Sequence, residues 1–331
     1  MHGVGRNGSS RKARRRCIKN EILMALGGLI GLVLLYYGAE YLVRGGSAIA
    51  SRSCVSPLVI GLTRVAFGTS APELFVSTSA ALHGLGDICI GNVVGSNICN
   101  IALILGLSAL IAPLAVNAEL FKRDLPIMIL ASAVLTVVCL FCGGIGRIVG
   151  LLFVVGIVAY TIIGIRSSGK CGVETTPPPE DRFSRGGAIV AVIGGLLALV
   201  GGAKLILLGA VAIEKHFGVA DEFVALTVVA VGTSLPELAT SVVAARKGEA
   251  DIAIGNVVGS NIFNILGILG VSALLRPVSI EGMDWADFGM MLVTAVGLWP
   301  LMGARGRLGR FEGILLLAVY GIYLWWLVHT M

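Results

Sequence analysis

The chain has 331 residues, of which 56% are hydrophobic and 13% are charged, and its mean hydropathy is +0.93. These values exclude a soluble globular protein, because water would face too much apolar surface. The net charge of +6 could suggest a nucleic-acid partner, but the basic residues lie in loops and in the amino-terminal tail, where membrane topology explains them better. The sequence therefore predicts an integral membrane protein that contacts the lipid bilayer and no nucleic acid.

Continuous apolar stretches of about 20 residues can each cross a hydrocarbon core of about 30 Å, and they predict helices rather than a β-barrel. We therefore expect an all-α polytopic membrane protein with ten transmembrane helices. The predicted spans are 22–43, 57–82, 88–112, 125–142, 147–166, 187–213, 222–245, 252–275, 287–303 and 311–328.

The ten predicted spans divide into two groups of five. Residues 1–20 are polar and basic, and we predict a disordered tail there. The first five-helix half is 21–166, and the second is 187–331. Between them, the stretch 167–186 contains three consecutive prolines and is the one linker-like segment of the sequence.

The distribution of Lys and Arg predicts the orientation in the membrane. If the amino terminus lies outside, five inward loops carry most of the basic residues, and the outward loops carry few. The basic tail argues for the opposite orientation, but five loops outweigh one segment. We therefore predict a multi-pass protein of the plasma membrane with its amino terminus outside and the 167–186 loop in the cytoplasm.

A polar motif occurs twice, and each residue of the second copy lies 164 positions after its equivalent in the first. Both copies read GTS-x-PE and then GNVVGSNI-x-N. The repeats cover 57–114 and 221–278, and 31 of the 49 positions aligned from residue 66 onward are identical. Because five predicted spans separate the copies, the two repeats must have opposite orientations in the membrane. Inverted repeats are a common architecture of secondary transporters, with the site at the interface between the repeats.

Helical spacing places polar side chains of each repeat on one face of a predicted helix. An ionised Glu at bilayer depth costs at least about 2.5–3.5 kcal/mol, so Glu73 and Glu237 should face a cavity, a partner or an ion. Asn97 and Asn261 lie about 100° around the helix from this face, given the geometry of an α-helix, and we predict interhelical hydrogen bonds for them. The polar face comprises Thr69, Ser70, Glu73 and Ser77, then Asn92, Ser96 and Asn100, and in the second copy Thr233, Ser234, Glu237, Ser241, Asn256, Ser260 and Asn264.

A proline precedes each of these glutamates. Pro72 and Pro236 lack an N–H and displace the carbonyl four residues earlier, on Gly68 and Gly232, so backbone oxygen should become available beside the polar face. Carboxylate, amide, hydroxyl and carbonyl oxygens together suit a hard cation such as Ca²⁺ or Na⁺, whereas soft metals prefer Cys or His. The sequence therefore predicts an all-oxygen cation site built from both repeats.

These paired signatures resemble the α-repeats of the calcium/cation antiporter superfamily, and the chain is similar to prokaryotic sodium/calcium exchangers. The resemblance covers the ten-helix plan and implies an antiporter, not an enzyme, that exchanges Na⁺ for Ca²⁺ by alternating access. It implies function as a monomer, with no cofactor besides the transported ions. The implied site consists of Glu73 and Glu237 as calcium ligands shared with sodium, with Thr69, Ser70, Thr233, Ser234, Asn100, Asn264, Ser96, Ser260 and the carbonyls near Ala66 and Ala230.

One position departs from the pattern of some relatives, including potassium-dependent ones, which carry Asp where Asn264 stands. This chain has Asn in both halves. Two site carboxylates remain, and these balance one Ca²⁺ but fall one charge short of three Na⁺. The departure argues against potassium dependence.

Three other functions are compatible with parts of this pattern. A calcium/proton or potassium-dependent exchanger would use the same glutamates, so only ion dependence separates it from a sodium/calcium exchanger. A cation channel usually assembles identical subunits around a pore, whereas this chain builds its two-fold site internally. A membrane hydrolase is disfavoured, because no His or Cys pairs with the hydroxyl groups and no zinc motif is present.

Overall fold

The structure is a computed structural model, and it describes residues 27–49, 57–167, 183–217, 230–280 and 283–330. Several predicted features lie wholly or partly outside the described residues. They are the tail 1–20, the first residues of the span 22–43, most of the linker 167–186, and the starts of the span 222–245 and of the repeat 221–278.

The first half consists of helices joined by short turns, with two short strands. Gly84 and Gly143 follow two of the helices at φ of 80° and 64°, a left-handed conformation that ends a helix without the strain an L side chain would meet. In chain order the elements are α1 (27–49), α2 (57–69), α3 (Ala71–His83), α4 (Gly86–Ile111), β1 (Leu114–Ala115), α5 (Leu120–Cys142), β2 (Gly144–Ile145) and α6 (Arg147–Ser167).

The second half repeats this order about 164 positions later. Its elements are α7 (Arg185–Phe217), α8 (Ala230–Thr233), α9 (Leu235–Arg246), α10 (Ala250–Leu275), β3 (Val278–Ser279), α11 (Trp285–Gly303), β4 (Arg307–Leu308) and α12 (Arg310–Thr330).

Seven of the described helices are long and apolar enough to cross a membrane: α4, α5, α6, α7, α10, α11 and α12. About three quarters of the apolar span of α4 and of α10 is buried, against a third or less for the other five helices. The two repeat helices therefore form the centre of the bundle, and the others surround it. The predicted all-helical polytopic fold is confirmed, whereas the count of ten spans and the inverted layout stay predictions.

Two kinds of local feature differ from the expected helices, namely short strands and π-helical segments at Gly61–Val65, Cys99–Leu105, Leu120–Asp124 and Phe263–Leu269. A π-helical turn at Leu120–Asp124 opens α5, so Asp124 lies inside the helix and not at its start. There Asp124 is buried and bonded to Arg123 at 3.0 Å and to the hydroxyl of Tyr160 at 3.1 Å. The four short strands were not predicted, because two-residue segments give no period to detect.

The strands join the two halves at both ends of α5. β1 pairs antiparallel with β4, and β2 pairs antiparallel with β3. Because α5 separates β1 from β2, the two pairs lie at opposite ends of this helix. Each half thus contributes one strand to each pair, so the ends of the bundle are formed by both halves.

α1 and α7 pack with their backbones in contact. A Cβ built on Gly31 would lie 2.7 Å from the carbonyl oxygen of Gly202, and one built on Gly38 would lie 2.9 Å from that of Gly195. The contacts run in opposite directions along the two helices, so the pair is antiparallel. Small residues permit this approach, as in other membrane helix pairs.

Polar contacts connect α1 to the turn between α9 and α10. Glu40 Oε1 lies 2.7 Å from Lys247 Nζ and 2.9 Å from Arg44 Nη2. Two turns after Glu40 in α1, the hydroxyl of Ser47 donates to Glu249 Oε1 at 3.0 Å. These contacts attach the α1–α7 pair to one end of the second repeat.

The glycine contact predicts opposite outcomes for two neighbouring substitutions in α7. Gly195→Ala places a Cβ about 2.7 Å from Gly38 and should cost about 1–3 kcal/mol, as overpacking does. Gly194→Ala is the matched control, since its Cβ has open space. The midpoint temperature of unfolding in detergent, monitored by the loss of the folded peak in size-exclusion chromatography, should be lower for Gly195→Ala alone. Equal midpoints would contradict the close helix contact.

Candidate cation site

Each repeat contains a helix that breaks just before its glutamate. Ser70, with φ −82° and ψ 12°, separates α2 from α3, and Ser234, with φ −85° and ψ 5°, separates α8 from α9. Pro72 and Pro236 occupy the first turn after each break, where the missing N–H is tolerated. Glu73 and Glu237 therefore sit at the amino-terminal ends of α3 and α9, where the helix dipole favours negative charge.

The two breaks meet through reciprocal hydrogen bonds between the halves. The hydroxyl of Ser70 donates to Glu237 Oε1 at 2.8 Å, and the hydroxyl of Ser234 donates to Glu73 Oε1 at 3.2 Å. Ser70 Oγ also lies 3.0 Å from Ser260 Oγ on α10. Both carboxylates are fully buried. The structure thus brings the two predicted glutamates into one cluster, with each half supplying a hydroxyl to the carboxylate of the other.

The end of α2 adds further oxygens to this cluster. Thr69 Oγ1 lies 3.1 Å from Asn256 Oδ1 and from the carbonyl of Val65, and 3.3 Å from the carbonyl of Ala66. The carbonyl of Ala66 also accepts from the backbone N–H of Ser70 at 3.0 Å. In the second half, the described residues Ala230–Thr233 of α8 are helical, and Ala230 and Thr233 are the equivalents of Ala66 and Thr69.

Two asparagines hold the glutamate helices in place. Asn92 Nδ2 donates to Ser77 Oγ at 2.9 Å and lies 3.5 Å from the carbonyl of Glu73. Asn256 Nδ2 donates to Ser241 Oγ at 3.0 Å and to the carbonyl of Glu237 at 3.3 Å. These amides direct their hydrogens at α3 and α9, so they support the glutamate backbone.

Asn97 and Asn261 bond across the bundle, as the sequence predicts. Asn97 Nδ2 donates to the carbonyl of Asn261 at 3.3 Å, and Asn261 Nδ2 donates to the carbonyl of Asn97 at 3.4 Å. Their side-chain oxygens accept from Asn264 at 3.1 Å and from Asn100 at 2.9 Å. The spacing of polar residues could not indicate this second pair of bonds, because it depends on how α4 crosses α10.

Five buried oxygens of the predicted site have no hydrogen-bond partner among the described residues. Buried polar atoms nearly always have one, so this concentration is unusual. Three further buried hydroxyls without a partner, on Ser108, Thr240 and Ser272, lie outside the predicted set. The five site atoms are Glu73 Oε2, Glu237 Oε2, Asn100 Oδ1, Asn264 Oδ1 and Ser96 Oγ.

The charge of the cluster comes from its two carboxylates. Within the described ranges, no group of three or more His, Cys, Asp or Glu could hold a metal ion. A cation here must therefore be bound by Glu73 and Glu237 together with neutral amide, hydroxyl and carbonyl oxygens. Two buried carboxylates without a counter-charge would be very unfavourable in this apolar bundle. The arrangement is suited to hard cations carrying a total charge close to +2.

The reciprocal bonds predict a stability effect in buffer without Na⁺ or Ca²⁺. Ser70→Ala leaves Glu237 Oε1 without its donor, which should cost about 1–3 kcal/mol because the oxygen is buried. Thr78→Val on α3 is the matched control, since that hydroxyl donates within its own helix. We expect a lower unfolding midpoint for Ser70→Ala only. An unchanged midpoint would mean that this bond does not hold the halves together.

Comparison with known proteins places the chain in a family. The model of the sodium/calcium exchanger protein family matches residues 23–166 and 187–329. The inner membrane protein YrbG of Escherichia coli is 36% identical over 306 residues, covering 89% of this chain and 94% of YrbG. The sodium/calcium exchanger MaX1 of Methanosarcina acetivorans is 35% identical over 336 residues, covering 89% and 96%.

Solved structures agree with the sequence comparison. A structure of the sodium-calcium exchanger NCX_Mj is 35% identical, with a TM-score of 0.81, and the match covers 92% of this chain and 98% of that one. The match spans both halves, so the family resemblance includes the fold as well as the repeated motif. The chain therefore belongs to the sodium/calcium exchanger protein family, and it is a multi-pass membrane transporter rather than an enzyme.

Proposed function

We propose that the protein is a secondary active antiporter that exchanges Na⁺ for Ca²⁺ at the Glu73 and Glu237 site. The observation that supports this most directly is the pair of fully buried carboxylates, each bonded by a hydroxyl of the opposite half. The names of MaX1 and NCX_Mj, both sodium/calcium exchangers, agree with this proposal.

The available oxygens match the needs of calcium. Ca²⁺ takes about 6–8 oxygen ligands at about 2.3–2.6 Å and tolerates irregular geometry. The five oxygens without partners supply most of such a set. The hydroxyls of Thr69, Thr233 and Ser260 and the carbonyls of Ala66 and Ala230 are candidates for the remainder. Two carboxylates neutralise one Ca²⁺, which lowers the cost of burying the ion.

Competition for the two carboxylates provides the coupling. Na⁺ uses the same ligand types, so sodium and calcium exclude each other from the site. Because Asn264 is neutral, three Na⁺ would leave one excess positive charge on the loaded protein. The exchange is then electrogenic, and the charge of the sodium-loaded form differs from that of the calcium-loaded form.

Alternating access requires a part that moves past the site. We assign this role to α1 and α7, whose glycine contacts make them a unit within the ten-helix inverted repeat. α7 reaches the site directly, since a Cβ built on Gly68 would lie 2.5 Å from Leu196 Cδ2. Sliding an apolar helix across two unneutralised carboxylates is energetically costly, and bound cations lower this cost. Ion binding therefore permits the movement.

The proposal includes the topology and the assembly. The amino terminus lies outside the cell, the 167–186 loop lies in the cytoplasm, and one chain in the plasma membrane is the functional unit. The reciprocal hydrogen bonds between the two halves support a site formed within a single chain. No second copy is needed to complete the ligand set.

Neutralising either glutamate should abolish exchange. Glu73→Gln or Glu237→Gln leaves the other carboxylate with too little charge for Ca²⁺, and we expect initial uptake to fall about 100-fold or more, since unpairing a buried charge costs about 3–5 kcal/mol. The measurement is sodium-dependent ⁴⁵Ca²⁺ uptake into proteoliposomes. Glu119→Gln is the control, because Glu119 lies outside the site and pairs with Arg123. Undiminished uptake by either glutamate variant would refute the site.

The coupling ion is tested by imposing one gradient at a time. In proteoliposomes, an outward Na⁺ gradient should drive ⁴⁵Ca²⁺ uptake, and K⁺ or H⁺ gradients of the same size should not. Valinomycin-clamped membrane potential should change the sodium-driven rate, because the exchange moves net charge. Uptake driven by a proton gradient without Na⁺ would instead identify a calcium/proton exchanger, and a requirement for K⁺ would identify a potassium-dependent one.

A further inference from the structure

We propose that Asn97 and Asn261 are positioning residues that determine which atom Asn264 and Asn100 present to the cation. The proposal rests on the proposed function, because it assumes that the site binds Ca²⁺. Its basis is a continuous hydrogen-bonded chain of four asparagines, all at least 99% buried. We call these four residues the amide clamp.

The orientation of the clamp begins at two backbone carbonyls. The side chain of Asn97 lies 3.3 Å from the carbonyl of Asn261, and that of Asn261 lies 3.4 Å from the carbonyl of Asn97. A carbonyl can only accept a hydrogen bond, so the NH₂ group of each side chain must face it. Each side-chain oxygen therefore points the other way.

The side-chain oxygens then orient the next pair of amides. Asn261 Oδ1 lies 2.9 Å from Asn100 Nδ2, and Asn97 Oδ1 lies 3.1 Å from Asn264 Nδ2. Because an amide oxygen also only accepts, Asn100 must direct its NH₂ group at Asn261, and Asn264 must direct its NH₂ group at Asn97. Their own oxygens are left without a hydrogen-bond partner and buried. The polarity of the bonds thus fixes all four amides from two carbonyls.

This network solves a problem that an amide ligand creates. An amide has an acceptor end and a donor end of nearly equal size, and rotation by 180° would present an NH₂ group to the cation. A cation is repelled by that end and attracted by the oxygen. The clamp removes this ambiguity, because the flipped amide would place two oxygens or two donors against each other at a buried contact.

The clamp also crosses between the halves. Asn97 on α4 orients Asn264 on α10, and Asn261 on α10 orients Asn100 on α4. Asn261 has one additional contact, with Met128 Sδ of α5 at 3.6 Å. Because the interaction of an ion with a dipole grows with the ionic charge, loss of orientation should weaken binding of Ca²⁺ more than that of Na⁺.

The test is a double-mutant cycle in proteoliposomes. Asn97→Leu removes both the donor and the acceptor and keeps a side chain branched at Cγ, and we expect the calcium KM of sodium-driven uptake to rise about 10-fold, as loss of a ligand-orienting partner does, with a smaller change in kcat. In an Asn264→Ala background the same substitution should have no further effect on KM, because its target is absent. Asn97→Ser is run in parallel as a variant with less demand on packing.

Two further variants separate positioning from a general loss of structure. Thr294→Val removes a buried hydroxyl that bonds within α11, and it should leave the calcium KM unchanged. Asn97→Asp introduces a carboxyl group that, when protonated, donates to the carbonyl of Asn261 and accepts from Asn264, and it should keep the calcium KM within about 3-fold of the original, below the change expected from a lost orienting partner. Ca²⁺ should raise the unfolding temperature of the purified variants in the same order as it binds them: least for Asn97→Leu, and more for Asn97→Asp and Thr294→Val. This measurement does not depend on transport.

The results that would contradict the amide clamp differ from those that would contradict the proposed function. Absence of sodium-dependent Ca²⁺ uptake by the unmodified protein would overturn the proposed function. Normal exchange, with an unchanged calcium KM in Asn97→Leu and Asn97→Ser, would overturn the clamp alone. Effects of Asn97→Leu and Asn264→Ala that multiply independently would also overturn it.

Discussion

The burial of two carboxylates in an apolar bundle is the constraint on which the rest of this structure depends. Glu73 and Glu237 have no contact with solvent, yet each receives a hydroxyl hydrogen bond from the opposite half. An isolated charge at this depth would be unstable, so hydroxyls, amides and helix ends must compensate for it. The broken helices serve this need, because each break places a glutamate at a helix amino terminus.

The supporting contacts form a hierarchy around those carboxylates. Asn92 and Asn256 donate hydrogen bonds to the glutamate helices, and Asn261 and Asn97 accept hydrogen bonds from Asn100 and Asn264. α4 and α10 carry both sets, which explains why these two helices are the most buried of the membrane-spanning ones. Outside them, α1 and α7 contact each other at glycines, and α1 makes polar contacts with the turn between α9 and α10. Hydrogen bonds between polar side chains are concentrated at the site, whereas α1 and α7 contact each other through glycine backbone.

Much of this organisation could be predicted from the sequence, because the chain contains two copies of one motif that can be compared with each other. The repeat identifies the glutamates, and the prolines before them indicate the breaks. Helical spacing also places Asn97 and Asn261 off the polar face, where their interhelical bonds are found. The bonds from Asn100 to Asn261 and from Asn264 to Asn97 could not be predicted, since they depend on how two helices cross. The short strands and the π-helical start of α5 also escape local patterns, because they are set by contacts with distant segments.

The two halves share the chemistry of the site but not the contacts at the ends of their helices. Lys247 pairs with Glu40 at 2.7 Å. The positions 164 residues away from these two are His83 and Lys204, which are both basic and cannot form that ion pair. An antiporter with perfectly equivalent halves would have inward-open and outward-open forms of equal energy. If the two halves exchange roles during transport, the Lys247–Glu40 pair, which the equivalent positions cannot reproduce, contributes a difference in energy between the two forms.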